Sequence, residues 1–111
     1  MRLPNGDSAV VEIVKLTDYC LNPSHPRGRH KARVFAARLG FTAHHAETLQ
    51  RLLLTAAAKR QNAVLGAEDA FGTRYVLDFE VRGPKGLAKI RSAWIIRVQE
   101  DFPRFTTCYV L

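Results

Sequence analysis

The sequence predicts an α+β fold, in which N-terminal helices pack on one face of a C-terminal antiparallel β-meander of three to four strands. First, apolar residues in the first half recur every three to four positions, which is the spacing of an amphipathic helix. Second, residues from 74 onward alternate between apolar and polar, which is the spacing of a strand. Third, Gly83-Pro84-Lys85-Gly86 is typical of a hairpin turn between two such strands.

Three helical segments are predicted before residue 61. After a short β-prone run over residues 9–14, the spacing of Leu16, Tyr19 and Cys20 predicts a helical turn. Prolines then interrupt the chain, and a second helix is expected from about Gly28 or His30 to Leu39, ended by Gly40. A third is expected from an N-cap at Thr42 to about Arg60. Its predicted buried stripe is Ala46, Leu49, Leu53, Ala56 and Ala57.

Residues 61–72 are expected to be a loop that can include a short strand, and the sheet proper follows. Pairing Arg82 with Leu87 across the turn gives one apolar face and one charged face. The resulting pairs are Tyr75 with Trp94, Phe79 with Ile90, Asp78 with Arg91, and Glu80 with Lys89. The third strand's expected apolar face is Ala88, Ile90, Ser92, Trp94, Ile96 and Val98. A last strand is expected from Arg104 to Leu111, with Phe105, Thr107, Tyr109 and Leu111 on one side.

Length and charge limit the class of protein. The 111 residues are expected to form one domain over residues 1–111, with a net charge of +7. No acid occurs between Tyr19 and Ala46, although that stretch contains Arg27, Arg29, Lys31, Arg33 and Arg38. Such a cluster indicates a polyanion partner, and the alternative is a solvated face that keeps the protein soluble.

Nothing in the sequence indicates export or a membrane. The N-terminus has no apolar signal region and no apolar run reaches membrane-spanning length, so a cytoplasmic setting is expected, with the active domain of a larger exported chain as the alternative. Cys20 and Cys108 show no metal-ligand spacing and are expected to be buried free thiols, with one disulfide as the alternative. No cofactor or metal is expected, because the sequence has no phosphate loop and no HExxH-type motif. His44 and His45 are interpreted as surface residues.

Residues 25–33 carry the groups that a ribonuclease without a metal needs. Histidine, here His25 and His30, can act as general acid or base, and Lys31 can stabilise the charge on a phosphorane. The arginines of the same segment, Arg27, Arg29 and Arg33, can bind phosphates. The alternative interpretation is that His25 caps or packs within the loop and that the arginines are solvated.

The outward face of the sheet supplies a second set of candidates. Arg74 and Arg97 are expected to lack acidic partners and are therefore preferred for substrate contacts, and Arg104 on the same face is a further candidate. Thr106 and Tyr109 can reach a site at the sheet. The alternative is an ordinary exposed face with cross-strand ion pairs.

Two parts of the chain also resemble a known bacterial domain. They are residues 15–35, with Asn22-Pro23-Ser24-His25-Pro26-Arg27-Gly28-Arg29-His30-Lys31, and residues 71–109, with Phe71-Gly72-Thr73-Arg74-Tyr75 and Ser92-Ala93-Trp94. The domain occurs alone and at the C-termini of phage-head and contact-toxin proteins. It is similar to the barnase/EndoU/colicin/RelE-like superfamily of metal-independent ribonucleases.

The resemblance implies particular site residues and a partner. It places His25 and Lys31 on the family's loop–helix motif, and Arg74, Trp94 and residues 104–109 on its sheet motifs. Position 30 is small and polar in many relatives, which favours His25 with Lys31 over His30. Free-standing members imply a toxin that is neutralised by a small acidic antitoxin protein.

Together, these observations predict a metal-independent endoribonuclease that acts on RNA as the toxin of a bacterial toxin–antitoxin or related conflict system. The expected catalytic residues are His25, Lys31, His30, Arg74 and Tyr109. The expected nucleic-acid contacts are Arg27, Arg29, Arg33, Arg97, Arg104 and Thr106. Two other classes remain open: a non-catalytic basic module that binds nucleic acid or an acidic protein, and a structural interaction domain.

Overall fold

The computed structural model describes all 111 residues, and it confirms the predicted order of helices followed by sheet. A π-helical turn at Leu16–Cys20 precedes α1 (Arg29–Val34), which continues as the π-helical segment Phe35–Leu39. Gly40 follows with a φ of 75°, a left-handed conformation in which glycine is not strained. The predicted glycine end of this helix is therefore confirmed.

The longest helix is α2 (Ala46–Lys59), which a short 3-10 turn at Ala43–His45 introduces. The predicted N-cap is confirmed, because the Thr42 backbone N–H donates to Nδ1 of His45 at 3.0 Å and the Thr42 side chain accepts from the His45 backbone. His44 is exposed as expected. His45 is not a free surface residue: it is half-buried, closes the cap and stacks on Phe41. All five residues of the predicted stripe are buried.

The second half forms a four-stranded antiparallel meander in the order β1 (Val64–Asp69), β2 (Gly72–Gly83), β3 (Gly86–Arg97) and β4 (Arg104–Val110). The expected short strand within residues 61–72 is β1. Every predicted pair between β2 and β3 is present, including Tyr75 with Trp94 and Asp78 with Arg91. Apolar and polar residues alternate along both β2 and β3, and this pattern determines the register. A slip by one residue would turn the apolar residues of one strand toward solvent.

Three local expectations were wrong. Within the β-prone run, only Val10 pairs with the sheet, through a single parallel bridge to Arg104, because the chain turns into a helix at Ile13. Val98 is 68% exposed, since β3 ends at Arg97. Residues Phe105, Thr107, Tyr109 and Leu111 do not share one side of β4.

The cause of this last difference is a β-bulge. Between the pairs Trp94–Phe105 and Ala93–Thr107, β4 contains the extra residue Thr106. Phe105 and Cys108 are therefore the buried residues of β4, and Thr107 and Tyr109 lie on the opposite side. The bulge decides which hydroxyls of β4 are available at the edge of the sheet.

One apolar core joins the helices to the inner face of the sheet, and it contains 23 buried residues. Trp94 and Phe105 lie at its centre with their ring centroids 5.6 Å apart. The Trp94 indole donates to Ser92 Oγ at 2.9 Å, and Ser92 donates to the Leu77 carbonyl at 2.6 Å, so the polar atoms buried here are satisfied. No helix combines the length and the apolar character that crossing a bilayer requires.

Candidate functional site

Lys31 is the centre of a cluster of polar and aromatic side chains. Its Nζ donates to the Tyr19 hydroxyl at 3.1 Å and to Thr107 Oγ1 at 3.2 Å. It also lies 4.9 Å from the centroid of the Tyr19 ring and 5.7 Å from that of Tyr109. Three separated segments thus hold this ammonium group: the turn before α1, α1 itself and the edge strand β4.

Two local features bring these segments together. Gly28 lies at the start of α1, where a Cβ would be 2.4 Å from the Tyr19 carbonyl oxygen, so the absence of a side chain lets the two segments touch. The β4 bulge turns Thr107 toward Lys31 while Cys108 stays in the core. The expected site residue Lys31 therefore has two hydroxyl partners, Tyr19 and Thr107, that the sequence did not indicate.

The charge of Lys31 has no acidic partner. The four ion pairs of the protein join other residues, and the groups that bind Lys31 are neutral hydroxyls. A half-buried cation that is oriented but not neutralised attracts an anion, because a charge-assisted hydrogen bond to phosphate is stronger than one to a hydroxyl. The cluster is therefore suited to hold a phosphate or carboxylate.

A shallow cleft of about 320 Å³ opens beside this ammonium group. His30, Lys31, Val34, Tyr109 and Val110 line it. His30 is exposed at the cleft, so the structure brings three of the expected catalytic residues, His30, Lys31 and Tyr109, to one place.

Tyr109 connects the cleft to a cation on the neighbouring strand. Arg91 forms a two-point ion pair with Asp78, with both N–O distances at 2.9 Å. The ion pair with Asp78, and then the neighbouring Tyr109 hydroxyl, raise the pKa of Arg91, and the hydrogen bond from Arg91 lowers the pKa of Asp78. The sequence predicted the Asp78–Arg91 pair but not its link to Tyr109, which depends on the side of β4 that Tyr109 occupies.

His25 is held by the backbone of its own loop. Its Nδ1 accepts from the N–H groups of Arg27 at 3.0 Å and Gly28 at 2.9 Å, and its ring packs edge-on against Tyr19 at 4.8 Å. With Nδ1 as the acceptor, the ring proton resides on Nε2. This geometry matches the alternative in which His25 caps the loop, and its catalytic role stays a prediction.

A buried pair of thiols lies behind the Lys31 cluster. Cys20 and Cys108 are free and buried, as expected, and Cys20 Sγ is 3.7 Å from Thr107 Oγ1. A hydrogen bond from the Cys108 thiol, supported by Thr107 and by the charge of Lys31, lowers the pKa of Cys20 to about 6 despite its burial. Burial, together with Cys20, raises the pKa of Cys108. The thiol pair thus belongs to the same hydrogen-bonded network as Lys31.

A larger groove of about 490 Å³ lies on the outer face of the sheet, and it collects the remaining sheet candidates. Arg74 was expected to lack an acidic partner, and this expectation was wrong. Strand β1 brings Asp69 to 3.3 Å from the Arg74 guanidinium. Arg104 is likewise paired with Glu100 at 2.8 Å. Arg97 has no ion pair, as expected. The groove's residues are Lys15, Ala70, Phe71, Arg74, Ile95, Arg97, Val98, Gln99, Arg104 and Thr106.

The other expected nucleic-acid contacts lie apart from both cavities. Arg27, Arg29 and Arg33 are exposed on the loop and on α1, without ion pairs, and they line neither the cleft nor the groove. Their contact with nucleic acid stays a prediction. No three His, Cys, Asp or Glu side chains lie close enough together to hold a metal ion.

Comparison with known proteins defines the family of the chain. Residues 2–111 match the family described as a domain of unknown function, DUF6883, and the chain belongs to that family. No curated protein sequence matches it. Its fold is similar to that of a chain in a solved contact-dependent growth inhibition toxin–immunity protein complex from Klebsiella pneumoniae 342. The TM-score is 0.70 at 19% identity, over 96% of each chain.

Proposed function

We propose that this chain is a metal-independent endoribonuclease that acts as a bacterial toxin, with residues 1–111 as the functional unit. The observation that carries the proposal is the Lys31 ammonium group, which two hydroxyls orient at an open cleft and which no carboxylate neutralises. RNA offers the anion that this site lacks.

In the proposed reaction, the 2′-oxygen attacks the adjacent phosphorus and the bond from phosphorus to the 5′-oxygen breaks. Lys31 holds a non-bridging oxygen, whose negative charge grows in the transition state. His30 is the histidine at the cleft and takes the proton of the 2′-hydroxyl. Tyr109, which lies opposite Arg91 on the neighbouring strand, gives a proton to the leaving 5′-oxygen. A 2′,3′-cyclic phosphate and a 5′-hydroxyl result.

The other two expected catalytic residues lie outside the cleft in this scheme. His25 fixes the loop that precedes α1 and packs on Tyr19, which in turn binds Lys31. Arg74 contributes to the outer groove rather than to the cleft. The scheme therefore assigns the removal of the 2′-hydroxyl proton to His30, where the family resemblance favoured His25.

Charge and fold support the toxin role and its partner. The net charge of +7 suits a protein that binds RNA and that is neutralised by a small acidic protein. A fold shared with a chain of a toxin–immunity protein complex is consistent with such a pair. The proposed target is RNA in the cytoplasm of the cell in which the toxin acts.

Rates of RNA cleavage in EDTA test this assignment. His30→Ala should lower the rate by about 10²–10⁴-fold, because the proton acceptor is lost. Lys31→Ala should lower it by about 10²–10³-fold. His44→Ala, an exposed histidine outside the cleft, is the matched control and should cleave like the wild type.

The same experiment separates the competing assignments. If His25→Ala abolished cleavage in a folded protein while His30→Ala cleaved at the wild-type rate, His25 would be the acid/base group. If the wild-type protein bound RNA and left it intact, both in EDTA and with divalent metals, the chain would be a non-catalytic binding module.

A further inference from the structure

The outer groove combines cations with an exposed aromatic ring. Of its ten lining residues, four are basic and none is acidic: the basic ones are Lys15, Arg74, Arg97 and Arg104. Asp69 and Glu100 neutralise Arg74 and Arg104 from outside the groove. Lys15 and Arg97 keep their charge without a carboxylate partner.

These two cations differ in how firmly they are held. The Lys15 Nζ donates to the carbonyl oxygen of Phe105 at 3.0 Å, so its position at the wall of the groove is fixed by β4. Arg97 ends β3 and is exposed. A phosphate in the groove can therefore contact the Lys15 ammonium, which β4 holds in place, and the exposed Arg97 guanidinium.

Phe71 stands at the end of this groove with 72% of its surface exposed. Its backbone is fixed on both sides, because its N–H donates to Asp69 Oδ1 at 2.9 Å and its carbonyl accepts from Val98 at 3.2 Å. The β1–β2 turn thus presents a phenyl ring to solvent from a rigid backbone. Most of this residue is open to solvent, and a flat apolar partner such as a nucleobase fits it.

Adjacent residues at the bulge of β4 belong to the groove and to the Lys31 cluster. Thr106 lines the groove, and the next residue, Thr107, binds Lys31. A nucleic-acid strand whose reacting phosphate sits at Lys31 can therefore continue along β4 into the groove. This link rests on the proposed function, whereas the charge and the exposed ring of the groove do not.

We propose that this groove binds the single-stranded RNA that flanks the cleaved phosphate. Lys15 and Arg97 contact phosphates, and Phe71 stacks on one base. The strand is single because the faces of bases in a duplex are covered by their neighbours and cannot stack on a side chain. The groove would therefore set the preference for unpaired RNA, and the cleft would carry out the reaction.

A binding assay with uncleavable probes tests this proposal. The probe is a fluorescein-labelled 2′-O-methyl RNA oligonucleotide, used as a single strand and annealed to its complement. Phe71→Ala should weaken binding of the single strand by about 5- to 10-fold and leave binding of the duplex unchanged. Leu87→Ala is the matched control, because Leu87 is 49% exposed at the other hairpin of the sheet.

The outcomes distinguish this proposal from the proposed function. Equal affinities of Phe71→Ala and Leu87→Ala for the single strand would overturn the stacking site, even if Lys31→Ala still abolished cleavage. Loss of single-strand affinity in Phe71→Ala alone would support the groove, even if the wild-type protein cleaved no RNA. If the protein bound an acidic protein but neither RNA probe, the proposal that RNA occupies the groove would be wrong.

Discussion

Replacing Gly28 by alanine should disturb the Lys31 site indirectly, by displacing Tyr19, which binds Lys31. Gly28 has a φ of −87°, which alanine adopts without strain, so the effect of the substitution is steric. The new Cβ would lie 2.4 Å from the Tyr19 carbonyl oxygen, whereas ordinary contact begins at 3.4 Å, so the two segments must separate by about 1 Å. Overpacking of this kind costs about 1–3 kcal/mol of unfolding free energy.

The same displacement should reduce the reaction rate more than it reduces stability. Tyr19 holds Lys31 through a hydrogen bond of 3.1 Å, and a shift of about 1 Å breaks it. Misplacement of a catalytic group by about 1 Å can lower a rate by on the order of 10²-fold. Gly28→Ala should therefore cleave RNA about 10²-fold more slowly at temperatures where it is fully folded.

Urea unfolding and RNA cleavage, measured on the same preparation, test this expectation. Gly66→Ala is the matched control, because its Cβ would lie 3.3 Å from the Arg74 carbonyl oxygen, only about 0.1 Å inside ordinary contact. Its stability should change by no more than about 0.5 kcal/mol. Wild-type stability and cleavage in Gly28→Ala would refute the argument that this glycine positions the site.

Three further predictions concern stability and ionisation. Phe105→Ala should lower the unfolding free energy by about 3–5 kcal/mol in urea, because this ring is 1% exposed in the core. The ion pair with Arg91 lowers the pKa of Asp78 below its usual 3.8, so its stabilisation is full above that value and lost as the pH falls through the folded-state pKa. Urea unfolding at several pH values should therefore show that Asp78→Asn costs less stability in acid than at neutral pH. The ultraviolet absorbance of the Cys20 thiolate should appear with a midpoint near pH 6, and Cys108→Ala should raise that midpoint.

Each of these has a result that would contradict it. A loss below about 1 kcal/mol in Phe105→Ala would mean that β4 does not complete the core. A constant stability difference between wild type and Asp78→Asn across the acid range would show that the pair does not depend on ionised Asp78. An unchanged midpoint in Cys108→Ala would show that Cys108 does not stabilise the Cys20 thiolate.

The sheet register was predictable because two independent patterns agree on it. Apolar pairing of Tyr75 with Trp94 and charge pairing of Asp78 with Arg91 require the same alignment across a turn of known length. The bulge at Thr106 was not predictable, because an extra residue in an edge strand leaves no distinct mark in an alternating pattern. Because Thr106 was not recognised as an extra residue, Thr107 and Tyr109 were wrongly expected on the same side of β4 as Phe105.

The site could be predicted only in part for a related reason. Lys31 and His30 could be predicted because they lie in residues 25–33, whose histidines and basic residues indicate a site. Both line the cleft. Tyr19 and Thr107 are 12 and 76 residues away from Lys31 in sequence and become its neighbours only through packing. Arg74 was expected to be free, because the strand that brings Asp69 to it was expected to be mostly loop.

The ends of the RNA products test the central claim most directly. Wild-type protein incubated with single-stranded RNA in EDTA should leave 2′,3′-cyclic phosphate and 5′-hydroxyl ends, because the proposed attack comes from the 2′-oxygen and uses only side chains of the protein. The folded Lys31→Ala variant should produce almost no 2′,3′-cyclic phosphate ends in the same time. Intact RNA after incubation with the wild type, or equal amounts of cyclic phosphate from Lys31→Ala, would contradict the account.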